Sequence, residues 1–161
     1  MRAGLTVALL VLLLDQAAKF WALGTGGLPP DQGVPLLGDA AFGLSLALVL
    51  NPGIFFGMLL PVGGWPQAMV LLLVVLVAVV MLLRMLGSRR LLLNIGRGAV
   101  AGGAASNLAD RLRLGAVVDY LVVRRGDVGF AFNLADIAVV AGALLMIGWA
   151  AAYTLSAGRI A

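Results

Sequence analysis

Two carboxylates in this chain lie where no neighbouring cation neutralises them. Asp119 follows Val117-Val118 and precedes Tyr120-Leu121, an apolar setting. Asp136 sits in Leu134-Ala135-Asp136-Ile137-Ala138, with Asn133 as its one local polar neighbour. The two are 17 positions apart, and the stretch between them reads as a hairpin able to bring them together. Two carboxyls in a low-dielectric pocket cannot both ionise, so they would share one proton. The ionised member would take a proton from water while the protonated member polarises a carbonyl. That chemistry belongs to an aspartic hydrolase, but a proton-carrying pair in a transporter has the same spacing. The residues alone leave both open.

Composition narrows what else could act. The chain has no His and no Cys, and all seven acids are Asp. This excludes disulfide frameworks, thiolate or imidazole metal sites, haem ligation and nucleophiles that rely on His. No metal or cofactor is expected. Of the 161 residues, 63% are hydrophobic and 11% charged, where a soluble domain has about half and about a quarter. Mean hydropathy is +1.12, as in a membrane protein. The net charge of +4 comes from eleven basic residues, too sparse in so apolar a chain for a nucleic-acid face. They read as a topological signal, because cytoplasmic loops collect Lys and Arg.

The elements that must position these groups are apolar helices. A span needs roughly 20 mostly apolar residues, and the sequence predicts four, at about 3–21, 67–86, 91–111 and 134–155. The fold class expected is mainly α, a polytopic membrane protein forming a single membrane domain over residues 1–161. The first segment resembles a secretory signal, yet no small-x-small site follows it, so an uncleaved helix is expected. Arg2, Arg84, Arg89, Arg90 and Arg159 fall on one side of a four-span chain, placing both termini in the cytoplasm. Arg111, Arg113, Arg124 and Arg125 are exceptions at the outer face. The outer segments 24–64 and 113–132 include β-compatible stretches, 43–50 and 117–132, with Arg124-Arg125-Gly126-Asp127 as a hairpin turn. Non-helical backbone cannot face lipid, so these strands belong at the interface or around a cavity.

With this topology the polar residues collect at one depth. Asp15 and Lys19, four apart, share a helix face near the outer end of the first span. Asn51 precedes the second. Asn107, Asp110 and Arg111 share a face near the end of the third, and Asn133 and Asp136 open the fourth. Asp15–Lys19 and Asp110–Arg111 are expected as internal ion pairs, and Asn133 as a helix N-cap. Ionisable groups at membrane depth are costly and mark functional sites or buried pairs. Gly98-Ala99-Val100-Ala101-Gly102 permits close helix packing.

At these residues the sequence resembles the bacterial lipoprotein signal peptidases, or signal peptidase II, a family of four-span intramembrane aspartic proteases. Asp15-Gln16-Ala17-Ala18-Lys19 is similar to the family's Asp-Gln-x-Ser/Ala-Lys. Asn51-Pro52-Gly53-Ile54-Phe55-Phe56-Gly57 is similar to Asn-x-Gly-Ala-Ala-Phe-Gly. Gly102–Arg111 resembles Gly-Gly-Ala-x-Gly-Asn-x-x-Asp-Arg, continued by Gly115–Tyr120, and Phe132–Asp136 resembles Phe-Asn-x-Ala-Asp. The resemblance covers nearly the whole chain, in the family's order. It implies Asp119 and Asp136 as a catalytic dyad, with Asn51, Gly53, Asn107, Arg111 and Asn133 lining the site. Asp15, Asp110 and Lys19 would support it. It also implies cleavage of a lipidated prolipoprotein signal peptide before a diacylglyceryl-modified Cys, at the outer leaflet of the bacterial cytoplasmic membrane. Water would act directly, with membrane lipid as a further partner and cyclic peptides such as globomycin as inhibitors. An interfacial β-cradle and a small outer helix would suit 43–50 and 117–132, and the outer arginines would contact lipid phosphate or peptide carbonyls. Three departures bear on pocket shape: Ile54-Phe55 for Ala-Ala, Ser106 for Gly, and Ala18 where Ser is frequent.

Overall fold

The structure, a computed structural model, describes residues 1–24, 27–28, 33–38, 42–52, 65–126 and 128–157. The expectations that fall on Gly53, Ile54, Phe55, Asp127 and Arg159 lie outside them. Four helices and four strands are present among these residues: α1 (Arg2–Leu23), β1 (Val34–Gly38), β2 (Phe42–Asn51), α2 (Trp65–Met85), α3 (Leu91–Leu114), β3 (Val117–Arg125), β4 (Val128–Phe132) and α4 (Leu134–Ala157).

The helices follow from apolar runs that must satisfy their own backbone hydrogen bonds in lipid. Two are long and apolar enough to cross a membrane, over Arg2–Leu23 and Leu134–Ser156; in α2 the apolar stretch Leu71–Met85 is shorter. α3 packs against α1, α2 and α4, and its sequence explains how. A Cβ on Gly98 would strike the Gly4 carbonyl, and one on Gly102 the backbone of Ala8. The expected small-residue pair therefore seats α3 on α1 at backbone distance. α3 stops at Gly115, whose φ of 75° suits the left-handed cap and turns the chain into β3.

The strands form one antiparallel sheet in the order β1-β2-β3-β4. Both expected β-stretches are strands, β2 from 42 to 51 and the hairpin β3–β4. Three details differ from expectation. β1, Pro-containing and exposed, carried no alternation to mark it and pairs as an edge strand. The small outer helix does not occur in the two segments assigned to it, whose Val-rich pieces pair along their length. Asn51 ends β2 and does not directly precede α2, which begins at Trp65.

Burial is inverted relative to a soluble protein. Leu13, Leu14, Leu72, Leu144 and Ile147 are exposed, while the largest fully buried side chains include Lys19, Asn94, Asn133, Asp15, Asp110, Asp119 and Ser106. The apolar exterior is what a bilayer solvates, and the polar groups are inside with one another.

Candidate active site

The polar interior is built around Lys19. Its Nζ lies 2.7 Å from Asp15 Oδ2 and 2.8 Å from Asp110 Oδ2 and donates to Asn107 Oδ1 at 2.7 Å. Three donors meet three oxygens, and all three charged side chains are fully buried. The expected i, i+4 pair thus forms, but it also binds α1 to α3. Asp110 was expected to pair with the adjacent Arg111. Its salt bridges are instead to Lys19 and, at 3.6 Å, to Arg113, because one helical turn brings residue i+3 onto the same face. Arg111 interacts electrostatically with Asp136, Asp119 and Asp110, with Asp136 first.

Asp110 and Asp15 also hold the backbone beside Asp119 and Asp136. Asp110 Oδ2 accepts the N–H of Val118 at 3.1 Å, one residue before Asp119. Asp15 Oδ1 accepts the N–H of Ala135 at 3.1 Å, one residue before Asp136. Ser106, buried at 0% exposure, donates to Asp15 Oδ2 at 2.6 Å and accepts from Gln16 Nε2 at 2.9 Å. Gln16 also donates to Asp110 Oδ1 at 2.9 Å. The serine that departs from the family's glycine therefore works as a hydrogen-bonding link in this chain.

Asp119 and Asp136 are both tied to Asn133. Its Nδ2 donates to Asp119 Oδ1 at 2.7 Å, and its backbone N–H donates to Asp136 Oδ2 at 3.4 Å. Its Oδ1 accepts the Asp136 N–H at 2.9 Å, so the expected N-cap is present as a reciprocal capping box with Asp136 at N3. Asn51 donates to Asp119 Oδ2 at 2.9 Å. The register explains why: Val49 faces Asp119 and Asn51 faces Val117, which makes Asn51 the diagonal neighbour of Asp119. Asn107 Nδ2 donates to Asp136 Oδ1 at 2.7 Å, its carbonyl already occupied by Lys19. The amide thereby passes the polarising effect of a cation to Asp136 without direct contact between the two.

The environments of the pair differ. Asp119 is 1% exposed. Burial pushes its carboxyl from an ordinary 3.8 up to about 6; the Asn51 hydrogen bond opposes this and the Asp136 charge adds to it. Asp136 is partly exposed and lines a cavity of about 290 Å³ with Phe130, Phe132, Ile137, Val140, Ala141 and Leu144. Asp136 thus borders an apolar pocket.

Sequence reasoning missed Tyr120 as a participant. Its hydroxyl donates to Asp15 Oδ1 at 3.2 Å and accepts the Leu134 N–H at 3.0 Å. Burial raises its pKa, which keeps the hydroxyl protonated as a donor. The available signal was a tyrosine within an otherwise apolar strand, whose O–H needs a partner when buried.

The profile of the family described as signal peptidase (SPase) II matches residues 7–151. The chain belongs to that family. Signal peptidase II is a peptidase family, and with its apolar helices this member is an integral membrane protein. A lipoprotein signal peptidase of Moorella thermoacetica is 39% identical over 88% of this chain and 88% of its own length. One from Caulobacter vibrioides is 34% identical over 88% of this chain and 82% of its own length. A solved structure of a bacterial membrane enzyme superposes with a TM-score of 0.79 at 20% identity, covering 96% of this chain and 90% of that one, and so shares the fold. The transporter reading finds no support in these relationships.

Proposed function

We propose that the chain is a lipoprotein signal peptidase that works as an aspartic endopeptidase. It removes the signal peptide of a prolipoprotein by hydrolysis just before the diacylglyceryl-modified cysteine. Asp119 and Asp136 are the catalytic pair, in a single membrane domain whose four helices all cross the bilayer. Both termini are cytoplasmic and the site lies at the outer leaflet. The observation that carries this reading is Asn133, which bonds both carboxyls at once beside an apolar cavity.

The pair shares one proton. The ionised carboxylate takes a proton from water as the water oxygen attacks the scissile carbonyl, and the protonated partner gives its proton to the carbonyl oxygen. The tetrahedral intermediate then collapses: the departing nitrogen takes a proton from the carboxyl that gained one, and one hydroxyl proton of the intermediate returns to the partner carboxylate, which restores the shared proton. No acyl-enzyme forms. Asn51, Asn107 and Asn133 hold the carboxylates without supplying a counter-charge that would fix them as anions. Arg111 supplies positive potential from outside the amide shell. The apolar cavity beside Asp136 suits acyl chains near the cut.

Purified protein incubated with a lipidated precursor peptide tests the reading. Asp119→Asn and Asp136→Asn should each lower turnover by at least ~10³-fold with the fold retained, since an amide cannot exchange the proton. Turnover preserved in either variant would refute the dyad.

A further inference from the structure

The far end of the helices from the carboxylates gathers guanidinium groups. Arg84 ends α2, Arg89 and Arg90 precede α3, and Arg97 lies two turns into it. Two of these are fixed by the fold. Arg97 Nη1 donates to the Arg84 carbonyl at 2.7 Å and to Asn94 Oδ1 at 3.3 Å. Asn94 is itself buried and anchored by its Nδ2 on the Ser88 carbonyl at 3.0 Å. Arg90 lies over the rings of Trp149 and Tyr153, at 4.3 and 5.0 Å from their centroids, and the two rings stack on each other. The positive fields of Arg84 and Arg90 both fall on Arg97. No carboxylate offsets them: among the described residues every salt bridge has Asp15 or Asp110 as its acid.

Immobilising like charges beside one another is unfavourable unless an anion completes the group. Free phosphate and a lipid headgroup share the required chemistry. The surroundings favour the lipid, because Leu83, Leu86, Leu91 and Leu92 are all more than half exposed around the cluster and offer acyl chains a surface. We propose that Arg84, Arg89, Arg90 and Arg97 form a binding site for the phosphodiester of an anionic phospholipid.

Delipidated protein in neutral detergent, titrated with phosphatidylglycerol while Tm is recorded, tests this without reference to cleavage. Phosphatidylglycerol should raise Tm saturably, and phosphatidylcholine of the same chains or inorganic phosphate should not. Arg90→Gln and Arg84→Gln should each weaken half-saturation about fivefold. Arg84→Gln serves where Arg90→Gln folds poorly, since the Arg84 side chain is exposed. Equal responses to both lipids, saturation by phosphate alone, or unaltered half-saturation in Arg84→Gln would each overturn the proposal.

Discussion

Asp15 and Asp110 are fully buried and share one ammonium group, at 2.7 and 2.8 Å from Lys19 Nζ. Asp119 and Asp136, within the same polar interior, take their closest hydrogen bonds from the amides of Asn51, Asn133 and Asn107. The first two carboxylates have a counter-charge in contact, while the second two have neutral amide donors in contact. Under the proposed function the first pair serves as structure and the second exchanges a proton. The two are joined through the backbone, since Asp110 and Asp15 each grip the amide preceding a dyad residue.

The strongest way to break this contrast is Lys19→Met. It keeps the volume but leaves two buried carboxylates without their cation, a loss of about 3–5 kcal/mol when one partner of a buried pair is removed. Tm in detergent should fall steeply, whereas Asp136→Asn should keep Tm near wild type while losing activity. Comparable thermal losses in the two variants would erase the distinction.

The pH dependence of stability comes next. Asp119 has its carboxyl raised from 3.8 to about 6. Between those values the folded chain retains a proton that the unfolded chain has released. Its contribution is therefore full below pH 4 and is lost as pH rises through 6, by on the order of 3 kcal/mol. Tm of the wild type should decline across that window. In Asp119→Asn the slope should flatten, and an unchanged slope would assign the titration to another group.

Tyr120→Phe probes the link between the pairs. The change leaves the Leu134 N–H without its acceptor and Asp15 without one donor, about 1–2 kcal/mol of stability. If the hydroxyl positions the first turn of α4, kcat should fall severalfold with KM unchanged. A stability loss with unaltered kcat would confine Tyr120 to packing.

How much of this could be read from the sequence differs between these residues. Asp15 and Lys19 were readable as a pair because helical periodicity places i and i+4 on one face. The hairpin that joins Asp119 to Asp136 was readable from Val-rich stretches around Arg124-Arg125-Gly126-Asp127. Helices α1 to α4 lie within a few residues of the apolar runs in the sequence. Lys19 reaching Asp110 was not readable, because it depends on how closely α3 approaches α1. That distance is set by Gly98 and Gly102 against Gly4 and Ala8. β1 was not readable either, since among the described residues it pairs with β2 alone and its own residues show no burial alternation. Ser106 was readable only as a departure bearing on pocket shape, and the positions of Asp15 and Gln16 make it a link.

The smallest expected effect separates two arginines on one helix. Arg113 is 46% exposed in its side chain and lies 3.6 Å from Asp110 Oδ1, an oxygen that also accepts from Gln16. A pair so open to solvent contributes roughly 0–0.5 kcal/mol, so Arg113→Ala should leave Tm and kcat/KM close to wild type. Arg111 directs its field first at Asp136 and then at Asp119. Arg111→Ala removes positive potential from the pair that must lose and regain a proton, and the acid limb of the kcat/KM profile should move to higher pH. Arg113→Ala should not move it, because its half-exposed guanidinium lies against Asp110 and not against either member of that pair. Equal displacement of the limb in both variants would mean that the dyad senses only the total charge near the end of α3, and the division between an amide-held pair and an ammonium-held pair would lose its electrostatic basis.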